Sequence, residues 1–136
     1  MVKVIQDLWI LTEDGIGVFS RIQDEKLNEQ LFSMLLSALN SFAEEISSGG
    51  LSNFELSNKR FSIVKRNSFI FVVSSSPKTK EKKAIDELEV IINKFFKKFG
   101  EALKTWNNNI SLFEGFESDI DDSLEDTIKK FQNAFW

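Results

Sequence analysis

Two stretches of this chain have no polar face. Leu8-Trp9-Ile10-Leu11 and Phe69-Ile70-Phe71-Val72-Val73 are almost continuously apolar. Each is too short for a globular helix and rich in β-branched and aromatic residues, so each reads as a strand buried on both sides. Such a strand must lie inside a sheet, and something must cover both faces of that sheet. A layered α+β domain follows.

The remaining elements arrange themselves around these two strands. Residues 2–12 form the first strand, Glu13-Asp14-Gly15 a hairpin turn, and 16–22 the returning strand. Asp24 caps a long helix over 25–47 that closes at Gly49-Gly50. Three further strands, 51–57, 60–66 and 69–74, are joined by tight turns at Asn58-Lys59 and Arg66-Asn67-Ser68. Ser76-Pro77 opens a second long helix over 77–106. Asn107-Asn108-Asn109 breaks it, and 110–117 is a loop with apolar anchors. Ser118 caps a last helix over 119–134, with Asp119, Asp121 and Asp122 at the positive end of its dipole. Its buried stripe is Ile120, Leu124, Ile128, Phe131 and Phe135. The order is β-β-α-β-β-β-α-α. With 136 residues and no repeat or linker, 1–136 is one domain.

Composition narrows the chemistry. The chain has no His and no Cys. That removes disulfides, thiolate nucleophiles, Cys-ligated metals and the commonest general base. No metal or cofactor is expected. The net charge is −4 and no basic stripe exists, which argues against nucleic acid as a partner. No apolar run is long enough to span a bilayer, and the start lacks a signal peptide's apolar segment. The expected location is the cytoplasm.

No motif supplies a catalytic constellation. Glu44 and Glu45 are adjacent on a helix and diverge by about 100°, so they cannot form a dyad. Asp119-x-Asp121-Asp122 has Leu124 where a calcium loop needs glycine and Lys130 where it needs glutamate. Gly15-Ile16-Gly17 lies in a hairpin, away from any strand-to-helix turn that would cradle phosphate. Ser74-Ser75-Ser76-Pro77 has no base to activate it. Lys78, Lys80, Lys82 and Lys83 open the second helix at the wrong end for its dipole. They suit a solvated face or contact with anionic headgroups.

The two long helices differ in the width of their apolar faces. The second confines its apolar residues to an arc of about 140°, and only Val90 strays. The first carries one stripe of Leu27, Leu31, Met34, Leu35, Ala38, Phe42 and Ile46. Beside it runs a second stripe of Phe32, Leu36, Leu39 and Ala43. Together they cover about 200°, roughly twice what a helix lying alone on a sheet needs. Loops or strand edges can cover the excess, or a partner can.

This element order resembles that of the longin domain. Leu8-Trp9-Ile10-Leu11-Thr12-Glu13-Asp14-Gly15-Ile16-Gly17-Val18-Phe19 is similar to its opening hairpin. Residues 31–45 resemble its first helix, and Phe69-Ile70-Phe71-Val72-Val73 its central fifth strand. Trp106 with Ile110-Ser111-Leu112-Phe113-Glu114-Gly115-Phe116 resembles the segment between its second and third helices. The likeness is nearest to stand-alone archaeal relatives of eukaryotic trafficking longin domains. It implies an α-β-α sandwich around an antiparallel five-stranded sheet in the order 2-1-5-4-3. The first helix would cover one face, the second and third the other. It also implies a non-enzymatic adaptor that binds a Ras-like small GTPase or another longin- or roadblock-type subunit, or pairs with itself. Phe32, Leu36, Leu39 and Ala43 would anchor the partner, with Phe19 and Arg21 beside them. Membrane contact would be peripheral, through a partner or through Lys78 to Lys83. The competing expectation is a small-molecule sensor of profilin-, PAS- or GAF-like shape, which needs a cavity between the sheet and a helix.

Overall fold

A computed structural model of the chain describes residues 3–14, 16–23, 52–56 and 58–125. Five strands form one antiparallel sheet: β1 (Asp7–Thr12), β2 (Gly17–Arg21), β3 (Ser52–Leu56), β4 (Lys59–Arg66) and β5 (Phe69–Ser75). Their order is β2-β1-β5-β4-β3. Side chains are described along four of them; in β3 only that of Glu55 is. The two apolar strands, β1 and β5, sit next to each other at the centre. Every residue of β5 is buried, and in β1 only Thr12 reaches partial exposure. The turn between β4 and β5 places Asn67 at φ 51° and Ser68 at φ 70°. Two consecutive positive φ values give the turn twist that matches paired strands.

One face of the sheet carries Leu8, Ile10, Phe69, Phe71, Val73 and Val64. Helix α1 (Glu81–Leu103) lies on it, burying Ala84, Leu88, Ile91, Ile92, Phe95 and Phe99. Val90, the residue off the stripe, is exposed. A short helix, α2 (Phe116–Ile120), and a 3-10 turn (Ile110–Phe113) complete this layer. Aromatic rings fill it. Phe95 is fully buried and stacks on Phe113 at 5.4 Å. It also meets Phe71, Phe99 and Phe116 edge to face at 5.3–5.7 Å. Edge-to-face pairs suit the ring quadrupole and add to the gain from buried area.

The register puts Trp9, Leu11, Ile63 and Val72 on the opposite face, together with Phe61. These are buried too, and Trp9 stacks on Phe61 at 6.0 Å. The cluster that α1 and α2 join does not include them. The first long helix expected from sequence, 25–47, lies outside the described residues.

Three expectations need correction. The long helix begins at Glu81, not at Pro77. Ser76 closes a turn instead: its carbonyl accepts the Thr79 N–H at 2.9 Å and its hydroxyl accepts the Lys78 N–H at 3.2 Å. Arg60 of β4 donates to the carbonyls of Thr79 (2.6 Å) and Pro77 (3.1 Å) and pins this turn to the sheet. The helix also ends at Leu103, so Trp106 stands beyond it.

The last helix differs most. α2 starts earlier than expected, after Gly115 at φ 84°. That early start drops Phe116 and Ile120 into the core. A 3-10 turn (Asp121–Ser123) follows, and Leu124 is extended and paired in parallel with Ile5. The Ile5 N–H donates to the Ser123 carbonyl at 3.2 Å, and the Glu125 N–H to the Ile5 carbonyl at 2.7 Å. Ile120 and Leu124 are both buried as the periodicity required, without one helix joining them. Asp119 stands in the first turn of α2, and Asp121 and Asp122 in that of the 3-10 turn, so the three acids do not share one helix start. Asp119 pairs with Lys98, and Asp121 lies 4.0 Å from Lys3. Ile128, Phe131 and Phe135 lie outside the described residues.

Phe95→Ala is expected to cost about 3–5 kcal/mol, because the enclosing rings cannot collapse into the void. Urea denaturation followed by near-UV circular dichroism measures it. A loss under about 1 kcal/mol would show that Phe95 is not central to the core.

Candidate functional site

The N-terminal end of β1 is tied down by polar contacts. Asp7 is completely buried although it is charged. Its Oδ2 accepts from Lys59 Nζ at 2.5 Å and from the Ser74 hydroxyl at 2.6 Å, and its Oδ1 from the Gln23 N–H at 2.8 Å. One carboxylate therefore joins the start of β1, the end of β5, the start of β4 and the chain leaving β2. A buried ion is tolerable only when partnered in this way.

Arg21 makes a second clamp on the other face. It is 5% exposed. Its guanidinium donates to the carbonyls of Gln6 (2.7 Å) and Glu125 and lies 3.7 Å from the Glu117 carboxylate. Phe19 is half-buried and meets Phe116 edge to face at 5.4 Å. Phe19 and Arg21 thus share the α1 side of the sheet and brace β2 from within. Between them Ser20 is exposed. β2 stands at the edge of the sheet. Among the described residues nothing pairs with its outer side.

The four lysines are all exposed, on the turn and first residues of α1. Among the described residues none of Lys78, Lys80, Lys82 and Lys83 has a carboxylate at salt-bridge distance. Phe32, Leu36, Leu39 and Ala43 lie outside the described residues. So the structure brings Phe19 and Arg21 together and sets the lysines apart from them.

A cleft of about 780 Å³ opens at the other end of the sheet. Its walls are the tips of the β1–β2 and β4–β5 hairpins and the last turns of α1. Phe69, Phe96 and Trp106 form its apolar wall. Trp106 lies 5.9 Å from Phe69, and its indole N–H donates to the Asn109 carbonyl at 3.0 Å. Sequence reading passed over this cleft because its residues come from three separate turns. One signal was available: Gly100, inside an otherwise regular helix.

Among the described residues no group of three acidic, His or Cys side chains is placed to hold a metal, and no helix is long and apolar enough to cross a membrane.

No family model and no curated protein matches the chain. Two solved structures are similar to it in part. MglC from Myxococcus xanthus is 19% identical over 60% of this chain and 76% of its own, with a TM-score of 0.45. A Roadblock/LC7 domain from Streptomyces avermitilis is 14% identical over 76% of this chain and 88% of its own, with a TM-score of 0.48. At that level of likeness neither bears on function. What stands is a mixed α+β fold with an antiparallel sheet.

Asp7→Ala is expected to destabilise the chain by roughly 3 kcal/mol, because Lys59 loses its counter-ion and the Gln23 N–H its acceptor. Thermal and urea unfolding report it. A variant as stable as the parent would remove Asp7 from the framework of the sheet.

Proposed function

We propose that the protein is a longin-like adaptor without catalytic activity. It binds a Ras-like small GTPase or another longin- or roadblock-type subunit. The observation that carries this reading is the second sheet face. Trp9, Leu11, Phe61, Ile63 and Val72 are buried there, apart from the cluster that α1 joins. The sequence offers the 25–47 helix as the element for that face. One of its stripes suffices for the sheet. The other, Phe32, Leu36, Leu39 and Ala43, is then left for a partner. The open edge of β2 supports the same surface, since an edge strand can extend its sheet into another chain or a second copy. In this reading Phe19 and Arg21 hold that edge in place from the opposite face. The setting is cytoplasmic, in GTPase regulation or vesicle trafficking.

The exposed lysines of the α1 turn fit a peripheral role at a membrane. Basic side chains near an anionic bilayer contribute about 1 kcal/mol each. Replacing Lys78, Lys80, Lys82 and Lys83 by glutamine is expected to abolish sedimentation with phosphatidylserine vesicles at low salt. Unchanged sedimentation would exclude this patch.

The main test is an affinity pull-down from native cytosol, read by mass spectrometry, with Leu36→Glu beside the parent. A glutamate in an apolar contact is expected to weaken binding at least about tenfold, with the melting temperature unchanged. Recovery of a small GTPase or a longin- or roadblock-type subunit by the parent alone supports the adaptor. A variant that unfolds makes Leu36 a core residue and ends the reading.

A further inference from the structure

Gly100 is the most expensive residue in α1. A helical glycine costs about 1 kcal/mol relative to alanine, and such a residue usually has a reason. Here the usual reasons are missing. Its φ is not positive, and a Cβ placed on it would meet nothing within 4 Å among the described residues. Neither the backbone nor close packing calls for glycine. A side chain at this position would take up space in the cleft that Gly100 lines.

That cleft has the size of a small-molecule site, which typically spans about 300–1,000 Å³. Its apolar wall is aromatic and already ordered. Phe96 and Trp106 are half-buried against Phe69, and the Trp106 N–H is satisfied within the chain. The wall can therefore receive a flat apolar group without losing a hydrogen bond.

The charges on the lining sort themselves. Glu13 is held by Lys65 at 2.6 Å, and Lys104 by Glu101 at 3.1 Å. Lys97 on the helix and Asp14 on the hairpin tip also line the cleft, and both are exposed. One cation from the helix and one anion from the hairpin tip, each without an ion-pair partner among the described residues, thus line the cleft. A nucleotide would need several cations for its phosphates, and the lining offers only Lys97 and Lys104, the latter beside Glu101. A purely apolar ligand would leave both charges unused.

We propose that this cleft binds a small aromatic zwitterion of the aromatic amino acid class. Its ring lies against Trp106, Phe96 and Phe69, its anionic group meets Lys97, and its cationic group meets Asp14. Gly100 leaves the room that the ring needs. The site is independent of the adaptor reading and stands or falls without it.

The experiment titrates L-phenylalanine into the ¹⁵N-labelled full chain and follows the indole N–H signals. Trp106→Phe identifies the signal of Trp106. Phenylacetate and phenethylamine, each with one charge, serve as comparisons. A saturable shift of the Trp106 signal at millimolar phenylalanine is expected, with both comparisons a few-fold weaker. Lys97→Ala is expected to weaken phenylalanine and phenylacetate but not phenethylamine. Asp14→Ala is expected to do the reverse. Gly100→Leu fills the cleft with a better helix former, so binding is lost while the melting temperature holds or rises. Absence of a saturable shift, binding that survives Gly100→Leu, or single-charge compounds that bind as well as phenylalanine would each overturn the proposal.

Discussion

β1 and β5 must pair with each other because neither has a face that water can accept. Side by side at the centre of the sheet, each shields one edge of the other, and β2 and β4 shield the outer edges. The pairing from Asp7↔Ser74 to Thr12↔Phe69 fixes which side chains point to which face. A slip of one residue would swap Leu8 and Ile10 with Trp9 and Leu11 and mismatch both layers. The aromatic layer under α1 is possible only in this register, because Phe69 and Phe71 then point to the same side and bracket Phe95.

Polar groups hold the two ends of this sheet differently. At the Asp7 end, charge is spent internally: the Asp7 carboxylate and the Arg21 guanidinium close on backbone and side chains from four strands and the C-terminal segment. Buried charges satisfied in this way make alternatives costly, which suits a place where several chain segments must meet. At the hairpin-tip end the reverse holds. Asn67 and Ser68 bend sharply, α1 stops short of covering them, and Asp14 and Lys97 have no ion-pair partner among the described residues. One end is built for rigidity and the other is left open.

The central features were legible because they depend on runs and periods. The apolar runs of β1 and β5, the tight turn before Phe69 and the stripe of α1 all come from local pattern. What was not legible depends on contacts distant in sequence. Ser76-Pro77 is a sound helix start in isolation, and it fails because Arg60, from another strand, takes the carbonyls of Pro77 and Thr79. Ile120 and Leu124 have helical spacing, yet pairing with Ile5 pulls Leu124 into an extended conformation. Arg21 is expected beside the partner anchors, and contacts distant in sequence, to Glu125 and Glu117, make it a buried clamp instead. The aromatic cleft is assembled from three separate turns, so no local pattern announces it. The proposed partner stripe, Phe32, Leu36, Leu39 and Ala43, still rests on periodicity.

The hairpin that leads to the edge strand also lines the cleft, through Thr12, Glu13 and Asp14. Thr12 lines the cleft and also closes the β1–β2 hairpin: its N–H donates to the Ile16 carbonyl at 2.9 Å, and its hydroxyl accepts the Ile16 N–H at 3.2 Å. Just before it, the β1–β2 register shifts between Ile10 and Leu11. An irregularity of this kind interrupts the ladder hydrogen bonds locally. The other end of β2 is fixed by Arg21 and by Gln23 on Asp7. The two ends of β2 therefore differ: one adjoins the cleft through the hairpin tip, and the other is tied by buried polar contacts.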